Sequence, residues 1–472
     1  LIDIVLIREK PDWVKAQLEK LNDPAALERI DAVARLDGER RALLKESEAL
    51  QALRNRLNRT VGALRGNKAL ADAAKTAAAR EAAAAIGGGD YARAEAVLTA
   101  PDTAEAAHGE DTGAAFGALN SALGEMGARV EALTEQVRAV DAALDEQLLF
   151  IPNLPHESVP VAPDETHNRA WPTEGTVRTF DFTPRPHWEL GPALGIIDFE
   201  RGVRLTGSRG YVLMGMGARL QRALIGLFLD SARAHGFTEL YVPYLVREPM
   251  MFGSGQFPKF RDVVYHDQEA DLYLLPTAEV AVTNLHRDEI LDADVLPLYY
   301  AAHTPCFRRE KTSAGRDVRG IKRVHQFEKV ELYKFTSPET SYAELESLTE
   351  AAADVCRALG LAFRRLEIVT GDLGFSATKK YDLEVYAPGC DEWLEVSSCS
   401  NTEAFQARRA NIRTRAADAK KTQFVHTLNG SGLATPRVII ALLENGQQAD
   451  GSVILPDVLA PYLGGETVLR PQ

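Results

Sequence analysis

Leucine recurs every seven residues at Leu36, Leu43, Leu50, Leu57 and Leu64. A second stretch spaces its apolar positions in alternating steps of three and four: Phe116, Leu119, Leu123, Met126, Val130, Leu133, Val137, Val140 and Leu144. Such a repeat keeps one seam of a helix turned toward a partner, so both stretches predict coiled-coil helices of about eight turns. Similar in length and joined within one chain, they are expected to fold back on each other as an antiparallel helical arm. Between them, from about Gly66 to Thr112, lies an alanine-rich insertion broken at Gly87-Gly88-Gly89. Alanine favours helix but offers little to bury, which predicts an extended, partly mobile tip with one or two weak helices. Ahead of the arm, Leu1 to about Ile30 reads as short helical pieces with Pro11 and Pro24 near their starts.

Two prolines in Phe150–Pro155 stop the second coiled-coil helix, and PHESVPVAPDETHN reads as a linker. The boundary falls near Asn153, giving an N-terminal domain of residues 1–153 and a second domain of residues 154–472. Beyond about Ala170, short β-prone runs alternate with helices in no regular βαβ order, which predicts an α+β fold: a mainly antiparallel sheet flanked by helices. Leu220, Leu224, Leu227 and Phe228 mark an amphipathic helix closed by Gly236 and followed at once by a strand from Thr238 to Pro243. Pro305 to Phe335 begins and ends as strand around a polar loop, Thr312 to Gly320, and so predicts a long hairpin.

Charge changes the picture at two places. The chain carries a formal net charge of -13, yet the hairpin concentrates Arg308, Arg309, Lys311, Arg316, Arg319, Lys322 and Arg323. Local positive charge on an acidic protein suits a polyanionic ligand. On the arm, Ala49 to Lys68 carries Arg54, Arg56, Arg59, Arg65 and Lys68 without an acid. Its partner leg carries Glu125, Glu131, Glu135, Asp141, Asp145 and Glu146. A basic flank points to RNA backbone contact, against the plainer alternative of a coiled coil that only dimerises or spaces. No apolar run approaches the ~20 residues that span a bilayer, and LIDIVLIREKPDW has neither an apolar signal core nor a cleavage site, so a cytoplasmic location is expected. The four cysteines form no C-x-x-C pair and have no partner at metal-ligand spacing, which predicts reduced structural thiols and no zinc. Gly215-Met216-Gly217 lacks the third glycine of a dinucleotide loop, Gly320 is not followed by a phosphate-loop Lys-Ser/Thr pair, and no H-E-x-x-H occurs.

Three further stretches offer chemistry. Leu275-Pro276-Thr277-Ala278-Glu279 supplies a hydroxyl and a carboxylate that could hold an ammonium group. Glu395-Val396-Ser397-Ser398-Cys399-Ser400-Asn401 looks like a strand on which alternation puts Glu395 and Ser397 on one face, hard oxygen donors suited to Mg²⁺ carried by a nucleotide. His426 to Arg437 reads as a glycine-rich turn feeding a helix with Thr435 as N-cap, Pro436 at the first position and Arg437 in the first turn. A helix N-terminus with an arginine is an anion site.

These stretches together, in this order and with FRREKTSAGRDVRGIKRVHQFEKVE, closely resemble the signature motifs of class II aminoacyl-tRNA synthetases, specifically the seryl-tRNA synthetases of bacterial type. The resemblance runs from Leu6-Ile7-Arg8-Glu9 to Pro461-Tyr462 and departs at the tip, where about forty residues exceed the usual bacterial form. It implies a ligase that activates L-serine with ATP and passes the seryl group to serine tRNA, and also to the selenocysteine tRNA. By the same resemblance Arg308, Glu395 and Arg437 are catalytic. Arg308 bridges the α-phosphate and the serine carboxylate, Arg309 and Glu310 hold the nucleotide, Phe327 stacks on the base and Arg437 meets the γ-phosphate. Glu395 and Ser398 carry Mg²⁺ beside Val396 and Ser397. Serine is met by Thr277, Ala278, Glu279, Arg308, Glu331, Asn429 and Ser431. A homodimer, with the helix and strand of Leu220–Pro243 at its interface, and a basic flank gripping the tRNA's long variable arm are also implied. An adenylating ligase for a carrier protein would share only the second domain. A non-catalytic RNA-binding paralogue would usually lack the arginines and the carboxylate present here.

Overall fold

The computed structural model describes residues 1–105, 111–311, 319–417 and 419–472. Its contacts divide the chain into two compact units, Arg29–Leu148 and Leu1–Glu28 with Leu149–Gln472. Helices α1 (Ile4–Glu9) and α2 (Pro11–Glu19) open the chain, with Pro11 at the first position of α2, where a missing N–H costs nothing.

The helical unit is built on α3 (Pro24–Gly66), α4 (Asp72–Gly87), α5 (Tyr91–Thr99) and α6 (Thr112–Leu149). At 43 and 38 residues, α3 and α6 run to about twelve and about eleven turns rather than the expected eight, because helix continues past the apolar seam at both ends. They are antiparallel: Arg40 pairs with Asp141, Arg129 with Glu46 at 2.8 Å, and Arg65 donates to Asn120 at 3.1 Å. Leu50, Leu57, Val61 and Leu64 close on Phe116, Leu119, Leu123 and Met126, as the repeat predicts.

The insertion corrects the expectation of an extended tip. Helices α4 and α5 pack on the two long helices, and Ala78, Ala79, Ala82, Ile86, Ala94, Val97 and Leu98 join the same buried cluster. Alanine does have something to bury here, since its small side chain lets helices approach closely and bury backbone as well as methyl groups. Residues 106–110 of the insertion lie outside the described residues.

The second unit is organised by α7 (His187–Ala193), α8 (Met216–Ala234), α9 (Ser341–Ala358), α10 (Thr435–Gly446) and one eight-stranded sheet. Its strands are β1 (Arg169–Ala170), β2 (Thr238–Leu240), β3 (Leu298–Phe307), β4 (Gln326–Thr336), β5 (Phe363–Glu367), β6 (Lys379–Ala387), β7 (Glu392–Asn401) and β8 (His426–Ala434). They lie in the order β1-β5-β6-β7-β8-β4-β3-β2, all antiparallel except the edge pair β2 and β3. One face of the sheet is apolar: Val330 and Leu332 of β4, Leu383 and Val385 of β6 and Leu428 of β8 pack under α8, α9 and α10. Antiparallel strands can leave their other face polar, and that face forms the floor of the cleft described below. Helix α8, the turn at Gly236 and strand β2 follow one another as expected, although the strand ends at Leu240 rather than at Pro243. Among the described residues no helix is long and apolar enough to cross a membrane.

The His426–Ala434 stretch is a strand rather than a glycine-rich turn. Glycine is required there by packing, because a Cβ on Gly430 would lie 2.9 Å from Cys399 Sγ and one on Gly432 2.8 Å from Leu332 Cγ. Helix α10 then starts one residue earlier than expected: Ala434 is the N-cap, and Thr435 instead donates its hydroxyl to the Glu328 carbonyl at 3.2 Å.

Candidate active site

A cleft of about 340 Å³ opens on the polar face of the sheet. Strand alternation supplies its floor: Phe327, Lys329 and Glu331 of β4 stand two apart, as do Asn429 and Ser431 of β8. From β7 come Glu395, Ser398 and Ser400, an irregular spacing with a local cause. Leu383 faces Ser397 but Glu384 faces Glu395, so Val396 is an extra residue, a β-bulge. The bulge overturns the expectation that Glu395 and Ser397 share a face. Ser398 reaches the cleft with Glu395, while Ser397 turns away and donates to the Ser431 carbonyl at 2.5 Å. Val396 borders the cleft with its side chain in the helix-side core.

Two arginines border this floor. Arg308, just past the end of β3, holds its guanidinium 5.2 Å from the centre of the Phe327 ring and donates Nε to the Pro276 carbonyl at 3.2 Å. Arg437, in the first turn of α10, donates to the Lys322 carbonyl at 3.2 Å and the Glu395 carbonyl at 2.8 Å, with the Glu395 carboxylate 3.5 Å away. Glu310 pairs with Arg323 at 3.3 Å and adopts a left-handed backbone, φ 49°, a conformation costly enough for a residue with a Cβ to mark a constrained turn. The carboxylate of Glu395 and the hydroxyl of Ser398 are the hard oxygen donors a Mg²⁺ ion takes, so these residues fit that group. Burial, with Glu395's charge adding to it, pushes the neighbouring Asp382 carboxyl up to about 7 against the pull of Lys380.

The inner end of the cleft is a closed polar set. Thr277 donates to Glu331 at 2.9 Å, Lys329 donates to Thr277 at 2.8 Å, and Lys329 pairs with Glu331 at 2.5 Å. Glu279 accepts from Gln406 at 2.6 Å, and Gln406 in turn accepts from Tyr333 and Thr427, both at 2.8 Å. Burial, then the like charge of Glu331, pushes the Glu279 carboxyl up to about 7 against the pull of Lys329, Gln406 and Asn429.

Of the residues singled out from sequence, Thr277, Glu279, Arg308, Glu310, Phe327, Glu331, Glu395, Val396, Ser398, Asn429, Ser431 and Arg437 border one cleft. Three do not. Ala278 is buried in a neighbouring apolar cluster, Arg309 lies 6.0 Å from the Tyr265 ring centre, and Ser397 is turned away by the bulge. Arg316 and most of the Thr312–Gly320 loop lie outside the described residues. Lys329 was not foreseen, although its place between Phe327 and Glu331 on one strand face was a readable signal. Gln406 comes from the short helix Phe405–Ala410 and left no pattern at all. Cys390, expected to stand alone, meets His187 and Glu444, which no spacing in the sequence reveals.

On the helical unit, Arg54 donates to the Leu123 carbonyl, Arg56 pairs with Glu95 of α5 at 3.2 Å, Arg59 bonds back to its own helix, and Arg65 lies over the Phe116 ring. Of these contacts Arg56–Glu95 is an exposed ion pair, and a pair of that kind is worth about 0–1 kcal/mol.

Comparison with known proteins bears on the same residues. Residues 260–446 match the class II tRNA synthetase core domain (G, H, P, S and T), and residues 1–86 match the seryl-tRNA synthetase N-terminal domain. The chain is 54% identical to a serine–tRNA ligase of Roseiflexus sp. (strain RS-1), covering 100% of both. To a serine–tRNA ligase of Chloroflexus aurantiacus it is 47% identical, again over 100% of both. Among solved structures it superposes with a TM-score of 0.83 on seryl-tRNA synthetase from Pyrococcus horikoshii complexed with ATP, at 35% identity over 100% of both chains.

Proposed function

Because the chain belongs to the seryl-tRNA synthetases, a branch of the class II aminoacyl-tRNA synthetases, we propose that its cleft makes seryl-adenylate and then passes the seryl group to tRNA. The protein is a ligase that forms aminoacyl-tRNA, joining serine to tRNA. The observation that carries the residue assignment is the convergence of Thr277, Arg308, Glu331, Glu395, Asn429 and Arg437, from separate elements, on one polar cleft.

Serine lies at the inner end. Its ammonium faces Glu279 and Glu331, and its hydroxyl reaches Asn429 and Ser431. Hydrogen bonds left unmade when that hydroxyl is missing reject alanine. The ATP base stacks on Phe327, with Arg308 on the α-phosphate and Arg437 on the far phosphates. A serine carboxylate is already a nucleophile at neutral pH, so these residues have only to align it with the α-phosphorus and stabilise charge on the phosphoryl oxygens. Glu395 and Ser398 would hold Mg²⁺, which supplies further charge neutralisation on the phosphates when bound. We place the division of labour near residue 153, with tRNA recognition on the N-terminal side through the basic flank of α3, and catalysis after it. The tRNA is one with a long variable arm, and a homodimer is the working form.

The test is serine-dependent exchange of pyrophosphate into ATP, run beside alanine, threonine and glycine and repeated as charging of tRNA. Exchange and charging with serine alone support the reading. Exchange without charging would favour an amino acid ligase for a carrier protein, and no exchange would overturn the catalytic reading.

Two outcomes follow from the geometry. Glu279 titrates near 7 and can counter an ammonium group only when ionised, so KM for serine should fall as pH rises through 7, about tenfold between pH 6 and 8. Glu279→Gln should abolish this pH dependence, and a flat serine profile in the unaltered protein would remove Glu279 from the ammonium. Replacing Arg56 and Arg59 together with alanine should raise KM for tRNA about fivefold and leave exchange unchanged. An unchanged KM for tRNA would mean that the helical unit is a spacer on this flank.

A further inference from the structure

His187, Cys390 and Glu444 bring an imidazole nitrogen, a sulfur and a carboxylate oxygen within 4.8 Å of one another, away from the cleft. That spacing alone would suit a metal ion, but the hydrogen bonds speak against one. Ile321 donates its backbone N–H to His187 Nε2 at 3.1 Å, so Nε2 carries the lone pair. The proton therefore sits on Nδ1, which donates to Glu444 Oε1 at 2.9 Å. A cation at Nδ1 would displace the proton there onto Nε2, setting one N–H against another.

Every acceptor on Glu444 is also taken. Its Oε1 receives the His187 backbone N–H at 2.9 Å and the Cys390 thiol at 3.1 Å, and its Oε2 receives the Gly389 and Cys390 N–H groups at 2.9 and 3.0 Å. Burial works to raise this carboxyl, yet the hydrogen bonds from His187 and Cys390 hold it below its usual range. His187 and Glu444 are both fully buried, so this is a rigid, satisfied anchor.

The anchor grips the return of the polar loop. Gly320 has φ +72°, and a Cβ on it would lie 1.9 Å from His187 Nε2, so the imidazole sits directly against that backbone. The residue after Ile321 is Lys322, whose carbonyl accepts from Arg437 Nε at 3.2 Å. Glu444 lies in the last turn of the helix whose first turn carries Arg437. Both ends of α10 are thereby tied to one stretch of loop.

We propose that His187 is a positioning residue of the nucleotide site: its Nε2 fixes the Ile321–Lys322 backbone, and that backbone aims Arg437. This rests on the placement of ATP between Phe327 and Arg437 given above. It acts through geometry, and serine binding at the other end of the cleft does not pass through it.

The test is pyrophosphate exchange by the full-length protein, with KM for ATP and for serine measured separately. Asparagine keeps a donor at the Nδ1 position and loses the acceptor at Nε2, whereas glutamine reaches the Nε2 position with an acceptor. His187→Asn should raise KM for ATP about tenfold with KM for serine within about twofold, and His187→Gln should restore KM for ATP to within about threefold of the unaltered protein. Cys390→Ala removes one of the donors to Glu444 without touching Ile321, and should leave KM for ATP within about twofold even where it lowers the unfolding temperature. Equal ATP defects in the asparagine and glutamine variants, a rise in both KM values together, or an ATP defect in Cys390→Ala as large as that of His187→Asn would each overturn the proposal. Arg437→Ala separates the two levels. If it leaves KM for ATP unchanged, the nucleotide placement itself fails, and if it raises KM while His187→Asn does not, only the role of His187 fails.

Discussion

Replacing Arg308 with alanine is expected to lower serine-dependent pyrophosphate exchange about a thousandfold, on the order of 4 kcal/mol of transition-state stabilisation. On the proposed assignment its guanidinium contacts both reactants at once, the serine carboxylate that attacks and the oxygens of the α-phosphate that is attacked, so its loss removes alignment and charge compensation together. The folded state loses far less. The side chain donates to the Pro276 carbonyl, a hydrogen bond whose deletion costs about 1–2 kcal/mol. Filter retention of tRNA should therefore stay within about threefold of the unaltered protein, because the basic flank of α3 lies in the other unit. Exchange at a near-normal rate would show that another group holds the α-phosphate.

The second large effect is on stability. Lys329 and Glu331 are almost fully buried and paired at 2.5 Å, with Thr277 bonded to both. Removing the cation alone leaves a carboxylate in a low-dielectric site beside a second buried carboxyl, Glu279. Lys329→Met should cost about 3–5 kcal/mol in urea unfolding of the full chain, and weaken serine binding in the folded fraction. Adding Glu331→Gln should recover most of the stability but not the serine affinity, because the stranded charge is gone while the ligand contact is not restored. If the single variant unfolds at the same urea concentration as the unaltered protein, the pair contributes nothing and the site is wetter than its burial implies.

Those two cases also mark what could be read from the chain. Arg308 was legible because glycines, glutamates and aromatic residues surround it in a pattern that a plain basic patch does not need. The long helices were legible because an apolar residue at every seventh position, sustained along a stretch, keeps one seam of a helix buried and suits no strand. The bulge at Val396 was not, since one extra residue reverses the alternation and leaves no mark on composition. The glycines of β8 read as a turn because a strand chooses glycine only when a neighbour leaves no room, and the neighbours here, Cys399 and Leu332, are distant in sequence. The alanine-rich insertion failed for a related reason: what an alanine can bury depends on how closely a second helix approaches. His187, Gln406 and Glu444 carry their roles through long-range contacts alone.

The strand order of the sheet has a consequence for how the protein is made. Strand β8 is the last of the eight to leave the ribosome, yet it lies near the middle, bonded to β7 on one side and β4 on the other. Until residue 434 is available, β3 with β4 and β6 with β7 can form as separate hairpins, each with an open edge that invites wrong pairing. Insertion of β8 closes both edges and, in the same event, delivers Asn429 and Ser431 and launches α10 with Arg437. A nascent chain stalled before that point would hold most of its secondary structure, no adenylation activity and a strong claim on chaperones.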